Sequence, residues 1–557
     1  MGGIKLFETT FVAAVTWLVW RVLSARRRSP LRHIDGPPAN SWLEGHIPDF
    51  LVNESDSWES AIEVACARYG GIFKGSLYFK IPFLYVSDPK ALHHVFVKDM
   101  QVFEKMEDSV MVSKMSFGPG LLSMQGAQHK KQRKLLNPMF NMAHLRGITP
   151  TFYDVAYRMR VTIGKHISYG HSAEIEMLPW ATRAALELVG QGILGHSFES
   201  LEEANSMGTY TTTLKNLVPT WSSFTVSRRF VLPLVQNIGT PEFRRRAIGF
   251  IPWKKLHLFR DMCDLLYNTS LEIYRAKKNA YLEGQHENAS QGSGKEILAL
   301  ILKANAAASD EDRLTEEEII AQISTFTFAG MDTTSNALCR VLHLLSEDPE
   351  KQDTLRREIV GSRKHAGDLN YDDLMALPYL DGVVRETLRL YPPAPHLVRV
   401  PRENTVLPVS KPIRTTKGEF ISEVVVPKGT VVVCSVFQSN QNPDIWGEDA
   451  KEWKPERWAS PLPESVNEAK ISGVYSNLMT FSAGGRACIG FKFAELELKV
   501  MLSILVEAFS FSLPKDSKVV WELHGSAHPV VQRRPDGTPV LGTKFGLPLI
   551  VSLASSG

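Results

Sequence analysis

Five cysteines are scattered through the 557 residues, and one of them has surroundings that could make it reactive. Cys488 closes the stretch Phe481-Ser482-Ala483-Gly484-Gly485-Arg486-Ala487-Cys488 and is followed by Ile489-Gly490. An apolar-periodic run over 491–509 comes next and reads as a helix. Paired glycines permit a tight loop in backbone regions closed to other residues. A cysteine at a helix N-terminus faces free N–H groups and the positive end of the helix dipole, and both favour its thiolate. Such a thiolate is a strong axial ligand for haem iron. Arg486, two residues earlier, could pair with a haem propionate. No CxxC pair is present, which argues against zinc held by cysteine pairs, and five cysteines in this length do not make a disulfide scaffold.

Other polar residues recur at spacings with chemical meaning. Ala329-Gly330-Met331-Asp332-Thr333-Thr334 lies within a long apolar helix over 316–346, opened by a capping box of Thr315 and Glu318. A glycine closely followed by polar residues in mid-helix is locally unfavourable, and such a mismatch points to function. Glu386 and Arg389 stand at i and i+3 and share a helix face. Tyr391-Pro392-Pro393 then ends that helix. Lys454-Pro455-Glu456-Arg457-Trp458 follows further on. His129 and Arg133, at i and i+4, can grip one anion together. Taken singly, these are ordinary exposed ion pairs and solvated helix turns; their order along the chain and the company of Cys488 give them weight.

The stretch around Cys488 matches the haem-binding signature of the cytochrome P450 family, FxxGxRxCxG, at every fixed position. Chance would produce that match roughly once in several thousand chains of this length. From about residue 33 to the C-terminus the chain resembles that family, with five motifs in order. The resemblance implies a mainly α fold with small β-sheets, forming a single catalytic domain over 41–557. It implies haem b, with Cys488 as the axial ligand to iron and His129, Arg133, Arg399 and Arg486 on the propionates. It gives Gly330 the role of making room for oxygen, Thr333 that of holding a water, and Asp332 that of relaying protons. Glu386, Arg389 and Arg457 would form a buried structural network that holds the cysteine loop, with Trp458 standing where the family has Phe. The reaction implied is insertion of one oxygen atom from O2 into an unactivated C–H bond, with the other atom leaving as water. No flavin or nicotinamide module is identifiable, so the electrons are expected from NADPH–cytochrome P450 reductase. Its acidic face would meet Lys130, Lys131, Lys134, Lys492 and Lys499.

The elements that must position these residues follow from the rest of the pattern. The stretch 72–86 reads as paired strands, Asp88-Pro89 as a helix start, 126–400 as mainly helical, and 424–436 as strands broken by Pro427-Lys428-Gly429. Pro535-Asp536-Gly537 signals a hairpin. Near the N-terminus, the apolar residues of 6–23 followed by Arg26-Arg27-Arg28 read as a membrane anchor over 1–28. Its uninterrupted core would rise roughly 18 Å as a helix, short for a hydrocarbon layer of about 30 Å. A helix lying in the interface therefore stays open beside a spanning one. Residues 29–40, with Gly36-Pro37-Pro38, read as a hinge. The arginines place the following domain in the cytosol, at the endoplasmic reticulum membrane.

With 63 Lys+Arg against 60 Asp+Glu the charge is nearly balanced, which argues against a nucleic-acid partner. The expected substrate pocket is apolar and pliable, lined by Met106, Met111, Met115, Phe117, Leu121, Val218, Trp221, Phe224, Leu397 and Val398. Phe250-Ile251-Pro252-Trp253 could touch lipid. A lipophilic substrate arriving through the bilayer fits. The texture resembles fungal members that decorate terpenoids. Fatty acids or xenobiotics are the alternative substrates, and a haem-binding membrane protein without oxygenase activity is the remote one.

Overall fold

The structure is a computed structural model that describes residues 30–39, 41–47, 58–167, 172–199, 201–202, 207–284, 296–363, 367–515, 517–532 and 545–554. The chain forms two compact units, each assembled from three separate stretches. Because the units interleave in sequence, no linker marks them. The proposed anchor over 1–28 lies outside the described residues. Among the described residues, no helix is long and apolar enough to cross a membrane.

The first unit comprises Met1–Met106, His396–Asn442 and Ser465–Arg486. Its centre is a five-stranded sheet. Ile72–Ser76 pairs antiparallel with Pro82–Val86, which runs parallel to Val431–Ser435; His396–Pro401 and the short Phe103–Glu104 complete it. Val431–Ser435 is buried along its whole length, as a β-branched run covered on both faces should be. The expected cap after this sheet is present: Asp88 accepts a 3.0 Å hydrogen bond from the Ala91 N–H, with Pro89 at the first helical position. Gly36 in the hinge segment is docked on the sheet. The Lys74 N–H donates to Asp35 O at 2.9 Å, and a Cβ on Gly36 would fall 2.0 Å from Lys74 O. A hairpin, Leu478–Ala483 with Gly473–Tyr475, leads into the glycine loop ahead of Cys488.

The second unit comprises Glu107–Pro395, Pro443–Glu464 and Ala487–Gly557 and holds the long helices. Those that bear on the site are α1 (Glu107–Phe117), α2 (Gly126–Leu136), α3 (Met142–Lys165), α4 (Met177–Val189), α5 (Thr209–Ser222), α6 (Lys254–Leu282), α7 (Glu316–Glu347), α8 (Pro378–Leu390) and α9 (Phe491–Ala508). The α7 capping box forms as expected: Thr315 Oγ1 accepts from the Glu318 N–H, and Glu318 Oε2 accepts from the Thr315 N–H. A three-stranded sheet and a terminal hairpin, Lys518–His524 with Ser526–Gln532, complete the unit. That hairpin turns at Gly525, with φ +84°. The turn expected at Pro535-Asp536-Gly537 lies outside the described residues.

Candidate active site

Helix α7 is buried over 318–327 and again over 334–346. Between these stretches Ala329 is exposed, while Phe328, Gly330 and Thr333 are half-buried. Residues 329, 330 and 333 share one helix face, so a helix otherwise packed on all sides opens onto accessible space along a single stripe. Thr333 Oγ1 donates to Ala329 O at 2.9 Å, which leaves its lone pairs available on that stripe. Gly330 has a packing reason to be glycine as well, since a Cβ there would meet Val189 Cγ2 of α4 at 2.5 Å. The close approach of two helices is thus one requirement for a glycine at this position.

Asp332 faces the other way and is buried. Its Oδ1 accepts from Lys215 Nζ at 2.9 Å and its Oδ2 from Ser526 Oγ at 2.6 Å. Burial by itself would raise its pKa, but the Lys215 charge, His528 and these hydrogen bonds outweigh it and hold the carboxyl at about 2. The expectation that Asp332 relays protons thus meets a carboxylate with both oxygens engaged.

Cys488 lies two residues ahead of Gly490, the N-cap of α9. Its side chain keeps exposed surface. Burial pushes its thiol up, and the Gly490 N–H and the Arg133 charge pull only partly the other way. A bound cation is what deprotonates a thiol in such surroundings.

Arg133 NH1 on α2 donates to Ala487 O at 2.6 Å and so fixes the carbonyl immediately before the cysteine. His129 is buried on the same helix.

In the first unit, Arg486 NH2 donates to Glu104 Oε2 at 2.6 Å. Arg399 NH1 donates to Val398 O at 2.9 Å, and its guanidinium lies over the Phe96 ring. Lys105 belongs to the same cluster: burial, with Arg399 and Arg486 nearby, pulls it down to about 7 against the opposing effect of Glu104. Burial likewise lowers Arg399 to about 10. Lys105 was not legible in the sequence, since nothing in Glu104-Lys105 marks it. Positive side chains outnumber negative ones among Glu104, Lys105, Arg399 and Arg486, a charge balance that suits the two propionates of a haem. The residues present therefore fit the group.

Glu386, Arg389 and Arg457 meet in the second unit. Glu386 and Arg389 are fully buried. Arg389 binds Glu386 bidentately, Nε to Oε2 and NH2 to Oε1, each at 2.8 Å. Arg457 Nε donates to Oε1 at 3.1 Å, Trp458 Nε1 to Oε2 at 3.0 Å, and the Lys454 N–H to Oε1 at 3.2 Å. Trp458, the departure from the family pattern, thus contributes a donor that Phe lacks. Asp449, missed in the sequence, extends the network through Arg457 NH1 at 2.8 Å. Arg389 NH1 donates to Ala450 O at 2.6 Å.

Two sequence expectations are corrected. Lys499 does not belong to a basic docking face: it is fully buried on α9 and donates to Asp381 Oδ1 at 2.7 Å. Lys130 and Lys134 are exposed, and Lys131 and Lys492 are half-buried. Met115 is 46% exposed and lines no apolar interior. Phe117, Trp221 and Phe328 form an aromatic trio with centroids 4.8–5.8 Å apart, and Phe224 packs on Phe259.

A mostly helical fold with a cysteine loop defines a class, and the comparisons agree: the cytochrome P450 pattern matches residues 36–537, and the chain belongs to that family. It is accordingly a monooxygenase, and its cofactor is haem with a cysteine thiolate as the axial ligand to iron. Among its relatives is cytochrome P450 monooxygenase 91 of Postia placenta, 44% identical over 95% of this chain and 96% of that one. A ganoderic acid synthetase of Ganoderma lucidum is 40% identical over 96% of each chain. A cytochrome P450 monooxygenase of Hericium erinaceus is 35% identical over 98% of this chain and 97% of its own.

Proposed function

We propose that the protein oxidises a terpenoid or similar lipophilic metabolite in a fungal biosynthetic pathway, with electrons from NADPH–cytochrome P450 reductase, at the endoplasmic reticulum membrane. The observation that carries the substrate class is the relative named for ganoderic acid synthesis, which aligns over nearly the whole chain. The apolar cluster of Val112, Phe117, Leu214, Leu217, Phe259 and Met331, edged by Trp221, Phe224 and Phe328, supports a lipophilic substrate. Exposed Phe250 (89%), Ile251 and Trp253 support contact with lipid. Co-expression with the reductase in a host fed terpenoids, fatty acids and xenobiotics in parallel tests the reading. Products carrying one added oxygen are expected from terpenoids; turnover confined to fatty acids or xenobiotics would overturn it.

The haem supplies O2 activation and insertion of one oxygen atom into a C–H bond, the other leaving as water. The protein's residues bind it, orient it and manage protons. Cys488 would hold the haem iron through its sulfur, with Arg133 fixing the Ala487 carbonyl that sets the loop. Arg399, Arg486 and Lys105 would hold propionate charge, and His129 would do the same. Thr333, with lone pairs on the open stripe of α7, holds a water and presents its proton to the substrate side.

Thr333→Ala is therefore expected to uncouple the enzyme. Positioned proton transfer is typically worth about 10²–10⁴ in rate. NADPH consumption continues in this variant while product falls and hydrogen peroxide rises. Retention of a one-to-one ratio of product to NADPH would move the role elsewhere.

Removal of residues 1–28 is expected to weaken membrane association and leave the carbon monoxide difference spectrum intact. Loss of haem on truncation would show that the segment supports the fold.

A further inference from the structure

Five side chains, Asp332 among them, close into a ring of hydrogen bonds. Lys215 Nζ on α5 donates to Asp332 Oδ1 at 2.9 Å and to Asn336 Oδ1 at 3.0 Å. Because Asn336 Oδ1 accepts from Lys215, its amide nitrogen is the atom that faces His528, and it donates to Nδ1 at 3.3 Å. His528 then carries its own proton on Nε2, 2.9 Å from Ser526 Oγ. Ser526 in turn donates to Asp332 Oδ2 at 2.6 Å. Donor and acceptor senses agree at every link, and all five residues are buried.

The ring joins three elements: α5 through Lys215, α7 through Asp332 and Asn336, and the terminal hairpin through Ser526 and His528. A second contact at the same place is independent of it. The hairpin turn at Gly525 lies so close to α5 that a Cβ there would meet Val218 Cγ1 at 2.6 Å. Val218 is three residues, one helical turn, beyond Lys215. The C-terminal end of α5 carries Trp221, which packs edge-on against Phe117 of α1 and at a tilt against Phe328 of α7 beside the open stripe.

Two roles are compatible with such a ring: a proton path to Asp332, or a clamp. A path requires an Asp332 oxygen free to take up a proton. Both oxygens are already engaged, one by Lys215 and the other by Ser526, and the Lys215 charge favours the carboxylate. Four of the ring's five links join different elements. The geometry favours the clamp. We infer that Lys215, Ser526 and His528 are positioning residues that clamp α5 and the terminal hairpin onto α7 beside Thr333, so that α5 can lift only by breaking a buried, charged ring. The inference concerns the protein's mobility and holds whichever substrate the enzyme takes.

The test uses the full-length, haem-loaded protein and three variants, with two readouts that need no turnover: amide hydrogen exchange of α5 and the association rate of imidazole. Ser526→Ala keeps the ion pair and opens the ring; both readouts are expected to rise about tenfold. Ser526→Thr retains the hydroxyl and is expected to stay within about twofold of the parent. Lys215→Met, if it folds, should exceed Ser526→Ala, because it removes two links and leaves Asp332 charged. Unchanged exchange and association in Ser526→Ala would overturn the clamp. So would a Ser526→Thr variant as loose as Ser526→Ala, since packing and not the hydroxyl would then be holding α5, and so would a folded Lys215→Met that matches the parent.

Discussion

Cys488→Ala is expected to lose the thiolate-type Soret band entirely when the reduced protein is exposed to carbon monoxide. The other four cysteines offer no replacement. Cys263 lies on α6, Cys339 on α7 and Cys434 in the strand Val431–Ser435, none of them in the glycine loop. Cys66 lies on the helix Trp58–Tyr69, in a different element from the glycine loop. The loop itself should survive the substitution, because backbone contacts hold it. Arg133 grips the Ala487 carbonyl, the Gly485 N–H meets Met100 Sδ at 3.1 Å, and Gly484, with φ +65°, sits where a Cβ would fall 2.0 Å from Phe96 O. The variant is thus expected to keep its circular dichroism and thermal transition while losing the spectral signature. A thiolate-type band that persists in the folded variant would sink the assignment.

Glu386→Ala should be the most destabilising of the substitutions considered. Glu386 is fully buried and accepts five hydrogen bonds from four residues, two of them arginines. Removing it strands the Arg389 and Arg457 charges in a low-dielectric interior, a loss on the order of 3–5 kcal/mol. Against a typical stability of about 5–15 kcal/mol, that consumes much of the margin. The expected result is poor haem retention and a strongly lowered Tm. Glu386→Gln, which keeps the shape and loses the charge, should fall between. A Glu386→Ala protein that is well folded and haem-replete, slower only in turnover, would refute the structural role.

What the sequence made legible was local chemistry. The capping box at Thr315, the Asp88-Pro89 helix start, the strands around Val431 and the i, i+3 pairing of Glu386 with Arg389 all depend on neighbours within a few positions. What it concealed depends on distant approach. Lys215 and Ser526 converge on Asp332 from more than 100 residues away on either side, and no spacing rule connects them. Lys105 joins Arg399 only through the fold. Lys499 looked like surface because it follows a basic-and-apolar pattern, yet α9 is buried nearly all round and Asp381 receives the charge. Periodicity cannot separate a helix with one wet face from one sunk in a core when its few charged positions find partners inside.

The central sheet of the first unit places Pro82–Val86 beside Val431–Ser435, partners about 350 residues apart in the chain. Parallel, non-local pairing of this kind pays loop-closure entropy before any contact rewards it, and it is slow. During synthesis the delay is imposed as well as intrinsic. The early strands end before residue 107, but the stretches that complete their unit run to Arg486. At about 5–20 residues per second, the ribosome needs roughly 20–80 s to supply them. For that interval, Pro82–Val86 presents an unpaired apolar edge in the nascent chain, a natural target for a holding chaperone. Yield in a heterologous host should therefore respond to chaperone supply and growth temperature before it responds to haem supply.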